Sequence, residues 1–163
     1  MFLNSSIIFS NYNYIISLEG VNRQFDISAR IQDFNLKEDF QYYLNPESTI
    51  KFGVNSTYHS FSPGTLRARN DTLLNNRILQ GKTALESGLY FSQEYAFNPA
   101  LTLNYGARLS IFTILGPGTF YTYDSEGDRP DSAFYRNTTI VKNFFGFEPR
   151  FSMTYVLTKT NSI

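Results

Sequence analysis

The side chains that could carry out catalysis are few in this chain. His59 is the only histidine and there is no cysteine, so neither a two-histidine metal site nor a thiolate site can be assembled within it. An activated serine needs a neighbouring base, and the Gly-x-Ser-x-Gly segment of serine hydrolases does not occur. We therefore expect no enzymatic activity, no metal and no cofactor, and we interpret His59 as a wall residue near the end of a strand.

Two segments rich in turn-forming residues offer the pattern of an ion site. The acidic run Asp124–Asp128, followed by Asp131, supplies oxygen ligands of the kind that calcium prefers. The run does not follow the spacing of an EF-hand, so we predict a solvated loop. The segment Leu115–Gly118 is rich in glycine but lacks the Lys-Ser/Thr of a phosphate-binding loop. We expect it to bend the chain where a strand becomes a loop.

The spacing of the charged side chains on the predicted strands indicates a polar strand face, which we call the polar wall, and not a site for acid–base catalysis. Glu86 and Glu94 share a strand face, but at about 3.3 Å per residue they lie too far apart to act on one substrate bond. Glu148 and Arg150 are next neighbours on one face of the last strand, two residues apart, and we expect them to pair with each other or with Arg108 across strands. The predicted polar wall comprises Glu86, Glu94, Asn104, Arg108, Glu148 and Arg150.

The composition narrows the class of protein. The 163 residues include 14 basic and 14 acidic ones, and 17% are aromatic while only 17% are charged. A net charge of zero is no signature of nucleic-acid binding, and a soluble surface usually holds about a quarter charged residues. No run approaches the about 18–20 apolar residues of a spanning helix, and Met1–Ser6 does not resemble a signal peptide. A membrane would therefore have to be crossed by strands.

Six β-strands are predicted, because apolar and polar residues alternate along the chain. Four alternate cleanly: Thr49–Phe61, Ala84–Phe97, Ala100–Phe112 and Phe144–Leu157. Two are mixed, at Leu3–Leu18 and Phe25–Tyr43. In the second of these the apolar residues change phase, and Glu38 falls on the apolar phase. We expect a bulge near Gln32–Asp33 to account for the change, because one extra residue exchanges the faces of a strand.

Short and long connections alternate between these strands. Tight turns are predicted at one end of the sheet, at Asn45–Ser48, Asn98–Pro99 and Thr158–Ser162. The other end carries the link Gly20–Arg23 and two long connections, Ser62–Thr83 and Thr113–Asn143. This sidedness is typical of outer-membrane barrels, which have short periplasmic turns and long outer loops.

The apolar phase of the four clean strands holds no Lys, Arg, Asp or Glu. A lipid-facing Lys or Arg at the bilayer midplane destabilises a barrel by about 2–4 kcal/mol. A membrane location would therefore explain why charged residues are excluded from one face alone. Aromatic residues gather near both ends of the strands, where barrels carry girdles at the membrane interfaces. The two predicted belts are Tyr42, Tyr43, Tyr95, Phe97 and Tyr155 at the short turns and Tyr58, Phe61, Phe112 and Phe144 at the long loops. In a soluble β-domain the aromatics would only follow their strand propensity.

Six strands are too few to close a barrel, because bacterial barrels start at about eight strands. An open sheet edge is not tolerated in lipid. The chain starts close to a strand and stops in a turn, so we expect a partial barrel wall, incomplete without further strands. A fragment of a longer polypeptide is favoured over one chain of an assembly, since the loop lengths are so unequal.

Four runs resemble the barrel of TonB-dependent outer-membrane receptors, in the version found in Bacteroidota: Asn55–Gly64, Leu103–Ser110, Leu115–Tyr121 and Gly146–Ser152. The resemblance covers nearly all of residues 1–163, as a middle-to-late slice of the barrel, and rests on several runs together and not on one motif. It implies an all-β, antiparallel transmembrane barrel of about 22 strands, of which this chain supplies about six.

Membership of this family would imply import of a siderophore, cobalamin or a glycan across the outer membrane of a Gram-negative cell. The partners would be outer-membrane lipid, a plug domain inside the barrel and the TonB complex. The sequence contains no plug and no TonB box, so we do not expect the chain alone to transport. The polar wall would face the plug, and ligand contacts would come from the long loops through Tyr121, Tyr123, Arg129 and Tyr135.

Two other functions stay open. A porin or an adhesin barrel would share the wall but lack a plug. A soluble β-sheet module that binds carbohydrate would be monodisperse without detergent, and this behaviour separates it from both membrane proteins.

Overall fold

The computed structural model describes residues 1–20, 23–68, 77–158 and 161–162. Within these ranges the chain is all-β and antiparallel, and it contains no helix. Its strands are β1 (Phe2–Gly20), β2 (Arg23–Asn45), β3 (Ser48–Ala68), β4 (Arg77–Ile78), β5 (Lys82–Asn98), β6 (Leu101–Leu115), β7 (Gly118–Thr122), β8 (Asp131–Tyr135), β9 (Ile140–Thr158) and β10 (Asn161–Ser162).

The long strands β1, β2, β3, β5, β6 and β9 form one sheet in that order, and each pairs antiparallel with its neighbours. The two-residue strands β4 and β10 pair with β3 and β9, and β7 and β8 form a separate hairpin. The prediction of six strands is confirmed. The largest difference in length is in β3, which continues past Phe61 to Ala68.

Asparagine side chains form the two tight turns at one end of the sheet. The side chain of Asn45 accepts a hydrogen bond from the backbone of Glu47 at 3.1 Å, and Asn98 accepts from Ala100 and Leu101 at 2.9 Å. Such side chains replace a backbone acceptor in a turn. The predicted turns Asn45–Ser48 and Asn98–Pro99 are confirmed, whereas parts of Gly20–Arg23, Ser62–Thr83 and Thr158–Ser162 lie outside the described residues.

The bulge expected near Gln32–Asp33 is wrong. β1 pairs in unbroken register with β2, from Phe2 opposite Gln41 to Gly20 opposite Arg23. The register between β2 and β3 shifts elsewhere, opposite Ala29, where β3 carries an extra residue at Pro63–Gly64. Gly64 has a φ of 153°, a backbone conformation that residues other than glycine rarely adopt.

The change of phase in β2 has a counterpart in β1. Beyond the paired residues Ser10 and Asp33, the face that was apolar becomes mainly polar in both strands, and the face that was polar becomes apolar. The face that carries Phe9 and Phe34 then continues mainly with polar residues, with Ile15 as the apolar exception. Arg30 donates to Asn13 at 2.7 Å, and Ser17 donates to Asp26 at 2.7 Å. The opposite face continues with Tyr12, Tyr14, Ile16, Ile27 and Ile31.

The predicted long connection Thr113–Asn143 contains an ordered hairpin, β7–β8. Gly116 closes its base, because its N–H donates to the Thr139 carbonyl at 2.9 Å and its carbonyl accepts from Thr138 at 3.3 Å. The segment Leu115–Gly118 turns the chain into the hairpin, as expected from its glycines. The connection is therefore a second, smaller sheet at the long-loop end.

The sheet is a single layer. Among the residues whose burial is described, only Ala29, Ala84 and Leu115 are buried apolar side chains. Phe147 is 66% exposed and Phe151 is 71% exposed. No helix in the described part of the chain is long and apolar enough to cross a membrane, a finding that concerns helices alone. Both faces of the sheet are open to whatever surrounds them.

Candidate functional site

Continuous register aligns the alternating residues of six strands into rows. Two neighbouring rows on one face are Ser5, Glu38, Val54, Leu89, Leu109 and Phe147, and Leu3, Phe40, Phe52, Phe91, Ala107 and Pro149. A row on the other face is Asn4, Asp39, Gly53, Tyr90, Arg108 and Glu148. We call these the apolar face and the polar face. The apolar phases that alternation defined strand by strand thus form one continuous surface.

Glu38 is the one charged side chain on the apolar face between the rows of Phe34 and Tyr42 in the described strands. Its carboxylate accepts a hydrogen bond from the Ser5 hydroxyl at 2.5 Å. The hydrogen bond satisfies one of the acceptor positions of this carboxylate. The unfavourable residue noted in the sequence therefore has a local partner.

The aromatic belts are only partly confirmed. At the short-turn end, Tyr42 and Tyr95 lie on the apolar face, whereas Tyr43 lies on the opposite face. At the long-loop end, Tyr58 does so too, but Phe61, Phe112 and Phe144 lie on the opposite face. Phe112 and Phe144 pack against each other there, with ring centroids 6.5 Å apart. The expectation of two complete belts on one face is wrong, because position near a strand end does not specify the face.

His59 belongs to a row of titratable side chains on the polar face. Its Nδ1 lies 2.8 Å from an Asp33 oxygen and its Nε2 lies 3.8 Å from Glu86. Glu86 in turn lies 3.8 Å from the guanidinium of Arg108. Among the described residues, no serine or threonine hydroxyl is hydrogen-bonded to His59. The arrangement joins strands β2, β3, β5 and β6 and places His59 in the wall of the sheet.

Glu148 and Arg150 pair with each other, one of the two pairings expected from the sequence. The distance between Arg150 Nη2 and Glu148 Oε2 is 3.0 Å, and Ser110 donates to the other oxygen of Glu148 at 2.9 Å. Both oxygens of that carboxylate therefore have donors. Glu94 and Asn104 lie directly opposite each other on β5 and β6, nearer the short turns. All six residues of the predicted wall share the polar face.

A second group on the polar face was not singled out from the sequence. The Tyr90 hydroxyl donates to Asp39 at 2.6 Å, and Lys37 lies 2.5 Å from the other Asp39 oxygen. The Tyr90 ring lies over Gly53, where an added Cβ would come within 2.7 Å of the ring. Asn35 donates to Asn55 at 2.6 Å. The period of two in Asp33, Asn35, Lys37 and Asp39 is the signal that could have revealed this group.

The polar face holds an open cavity of about 680 Å³ between Tyr90, Arg108 and Arg150. Gly88 and Gly106 provide the floor, because neither has a side chain to fill it. Polar lining is supplied by Asn35, Lys37, Asn55, Ser92, Asn104 and Ser152. None of the described acidic side chains lines this cavity.

The four predicted loop contacts divide between the two faces of the β7–β8 hairpin. The guanidinium of Arg129 lies 5.0 Å from the ring of Tyr121 and 5.5 Å from that of Tyr123, so these three side chains form one exposed cluster. Tyr135 lies on the other face and packs edge-on against Phe120 at 5.7 Å. The structure therefore separates Tyr135 from the other three.

Lys82 fastens this hairpin to the sheet. Its ammonium group donates to the Thr119 carbonyl at 3.1 Å and lies 3.6 Å from the centre of the Phe120 ring. The side chain of Gln80 adds an acceptor for the Thr119 N–H at 3.2 Å. Partial burial at this contact lowers the pKa of Lys82 below its ordinary value. The hairpin is held at a defined position over the long-loop end.

The acidic run is a loop closed on its own backbone. One oxygen of Asp124 accepts hydrogen bonds from the backbone N–H groups of Glu126, at 3.0 Å, and Asp128, at 2.9 Å. Gly127 sits at the turn with a φ of 87°. Within the described residues, no group of three or more His, Cys, Asp or Glu side chains is arranged to hold a metal ion. The carboxylate of Asp124 is engaged in shaping the loop.

Comparison of the chain with models of known protein families, with curated proteins and with solved structures found no match in any of the three. The class that the structure defines is an all-β chain whose six long strands form an open antiparallel sheet.

Proposed function

We propose that this chain is part of the wall and outer loops of an outer-membrane TonB-dependent receptor. The observation that carries the proposal is the two-faced sheet. One face is apolar across six strands, with Glu38 as its single charge between the rows of Phe34 and Tyr42, and the other face is a hydrogen-bonded polar surface. Lipid outside and a polar interior inside are the two environments of a barrel wall.

The energy of the apolar face supports a lipid environment. Moving a Leu, Ile or Phe side chain out of water contributes about 1.5–3 kcal/mol. A whole domain is stable by only about 5–15 kcal/mol, so five such side chains left in water equal that margin. Ile7, Leu89, Phe145, Phe147 and Phe151 are all more than half exposed on this face. The face requires an apolar cover, and acyl chains provide one.

The extent of the apolar band also supports a membrane wall. On β5 it runs over residues 85–95, and a tilted strand needs about 9–11 residues to cross the hydrocarbon core. Beyond Asp33 the same face of β1 and β2 becomes mainly polar, with the Arg30–Asn13 pair at 2.7 Å and Ile15 as the apolar exception. The apolar surface therefore ends where the water phase would begin on the long-loop side.

The open edges make further strands part of the proposal. β1 and β9 are the outermost long strands of the sheet, so each has one edge with unpaired backbone groups along most of its length. Unpaired backbone is not tolerated in lipid. The remaining strands of a larger barrel would close the wall, a plug would cover the polar face, and the loops would meet a siderophore, cobalamin or a glycan. The proposed role is transport and not catalysis, and it needs no cofactor.

A pair of tryptophan variants tests the membrane part of the proposal. The chain has no tryptophan, so each variant contains one fluorophore. Phe145→Trp places it on the apolar face and Phe144→Trp places it on the polar face one residue away. In vesicles of phosphatidylcholine brominated on its acyl chains, we expect strong quenching for Phe145→Trp and weak quenching for Phe144→Trp.

Equal quenching of the two variants would contradict a lipid-facing wall. So would a monodisperse, folded chain without detergent, which is the behaviour of a soluble carbohydrate-binding module. The receptor part is tested separately, by reading the coding DNA on both sides of this segment. A continuous frame that encodes a plug domain supports a TonB-dependent receptor, whereas a complete barrel without a plug indicates a porin or an adhesin.

A further inference from the structure

Arg108 has an incomplete set of partners on the polar face. A guanidinium group carries five N–H donors, yet no acceptor among the described residues is hydrogen-bonded to Arg108. Glu86 lies 3.8 Å away, beyond hydrogen-bonding distance, and Glu148, directly opposite on β9, interacts with Arg108 through its charge alone. Its Nε is buried without an acceptor, on the backbone of Gly88. The other two cations of this region differ, because Lys37 contacts Asp39 and Arg150 is bound to Glu148.

The cavity of about 680 Å³ lies beside this guanidinium. Gly106 opens its centre between Ser92 on β5 and Arg150 on β9, which are its neighbours in the same row. Asn104 and Ser152, the next pair toward the short turns, add donors on the same side. The space is large enough for a small organic molecule and is lined with groups that can donate hydrogen bonds.

Among the described residues, the charged side chains that line the cavity are all cations. Lys37, Arg108 and Arg150 line it, and the nearby acids do not. Both oxygens of Glu148 are occupied by Ser110 and Arg150. An oxygen anion entering the cavity would therefore meet guanidinium groups first, and a planar carboxylate fits the fork geometry of a guanidinium in two parallel hydrogen bonds.

We propose that this cavity binds a small carboxylate-bearing molecule, held by Arg108 from β6 and Arg150 from β9. The inference goes beyond the proposed transport wall and does not depend on it, since it concerns only the polar face. Phosphate shares the anionic oxygens but not the planar shape, so the two chemistries can be separated by experiment.

The test measures binding of glutarate to the full chain in detergent micelles by isothermal titration calorimetry. Glutaramide is the neutral control of matching shape, and inorganic phosphate is the second anion. We expect glutarate to bind, glutaramide to show no measurable binding, and phosphate to bind more weakly than glutarate. Replacing Arg108 by Gln should weaken glutarate binding about tenfold or more, the usual size of a charge-assisted hydrogen bond.

Lys51→Gln is the matched control, because Lys51 is an exposed cation on the same face that does not line the cavity. This variant should bind glutarate like the unmodified chain. Arg150→Gln provides a second site variant in case Arg108→Gln does not fold, since the Arg150 side chain is 68% exposed. Equal affinities for glutarate and glutaramide, or equal losses in Arg150→Gln and Lys51→Gln, would overturn the proposal.

Discussion

Two large side chains on the polar face, those of Tyr90 and Arg108, pack over glycines of the neighbouring strands. Tyr90 lies over Gly53 and Arg108 lies over Gly88, where an added Cβ would come within 3.1 Å of Arg108 Nε. A glycine in a strand interior weakens the strand, and a large side chain laid across it replaces the missing contacts. The same glycines leave the space that becomes the cavity. Glycine on this face therefore determines both packing and the shape of the site.

Removal of one hydroxyl tests the polar network at this scale. Tyr90→Phe deletes the hydrogen bond to Asp39, and we expect the free energy of unfolding in lipid vesicles to fall by about 1 kcal/mol, as is usual for a lost hydrogen bond. Urea titration followed by circular dichroism measures it. Tyr12→Phe is the control, because the Tyr12 hydroxyl has no hydrogen-bond partner among the described residues. Equal stability of the two variants would show that the Tyr90–Asp39 contact contributes nothing.

The alternation of apolar and polar residues does not predict the hairpin β7–β8. Its strands have five residues each, which is too short for a clear period in the sequence. Its position depends on Lys82 and Gln80, which lie far from it in sequence. Because these contacts join distant segments, the sequence predicted a loop and four contact residues but could not separate Tyr135 from Tyr121.

A charge-removing substitution tests this attachment. Lys82→Met deletes the hydrogen bond to Thr119 and the cation–π contact with Phe120. We expect amide hydrogen exchange in the hairpin to accelerate about tenfold, because the two contacts together contribute roughly 1–2 kcal/mol. Exchange in β5 and β6 should not change. Lys142→Met, whose ammonium lies 5.1 Å from Phe144 and outside the hairpin, should leave hairpin exchange as it is; acceleration in both variants would contradict a specific anchor.

At the scale of the whole molecule, a single-layer sheet depends on what covers its faces. Phe147→Arg places a cation in the row of Leu89 and Leu109 on the apolar face. We expect the free energy of unfolding from bilayers to fall by about 2–4 kcal/mol, the cost of a midplane cation. Thr154→Arg, on the polar face of the same strand, is the control and should change it by less than about 0.5 kcal/mol. A small effect of both variants would place the apolar face outside the hydrocarbon region.

Local sequence was enough to predict the six long strands, the two asparagine turns and the apolar and polar faces of the four clean strands. Alternation depends only on the direction of successive side chains, and turn chemistry depends on neighbouring residues, so both can be read from short segments. The bulge was predicted wrongly because the pattern within one strand does not show how that strand pairs. A change of phase at residues 31–34 has two explanations, an extra residue or an exchange of face polarity, and only the pairing with β1 distinguishes them.

Tertiary structure alone decided which polar residues meet. Arg108 and Glu86 are 22 positions apart in sequence, and the cavity draws its lining from five strands. Register sets such contacts, and a shift of one residue would exchange the faces of a whole strand. The sequence by itself thus determined that the strands have one apolar and one polar face, because the alternation that defines these faces is a pattern within each strand. The sheet determined where Arg108 lacks an acceptor and where the cavity opens, because both depend on the alignment of separate strands.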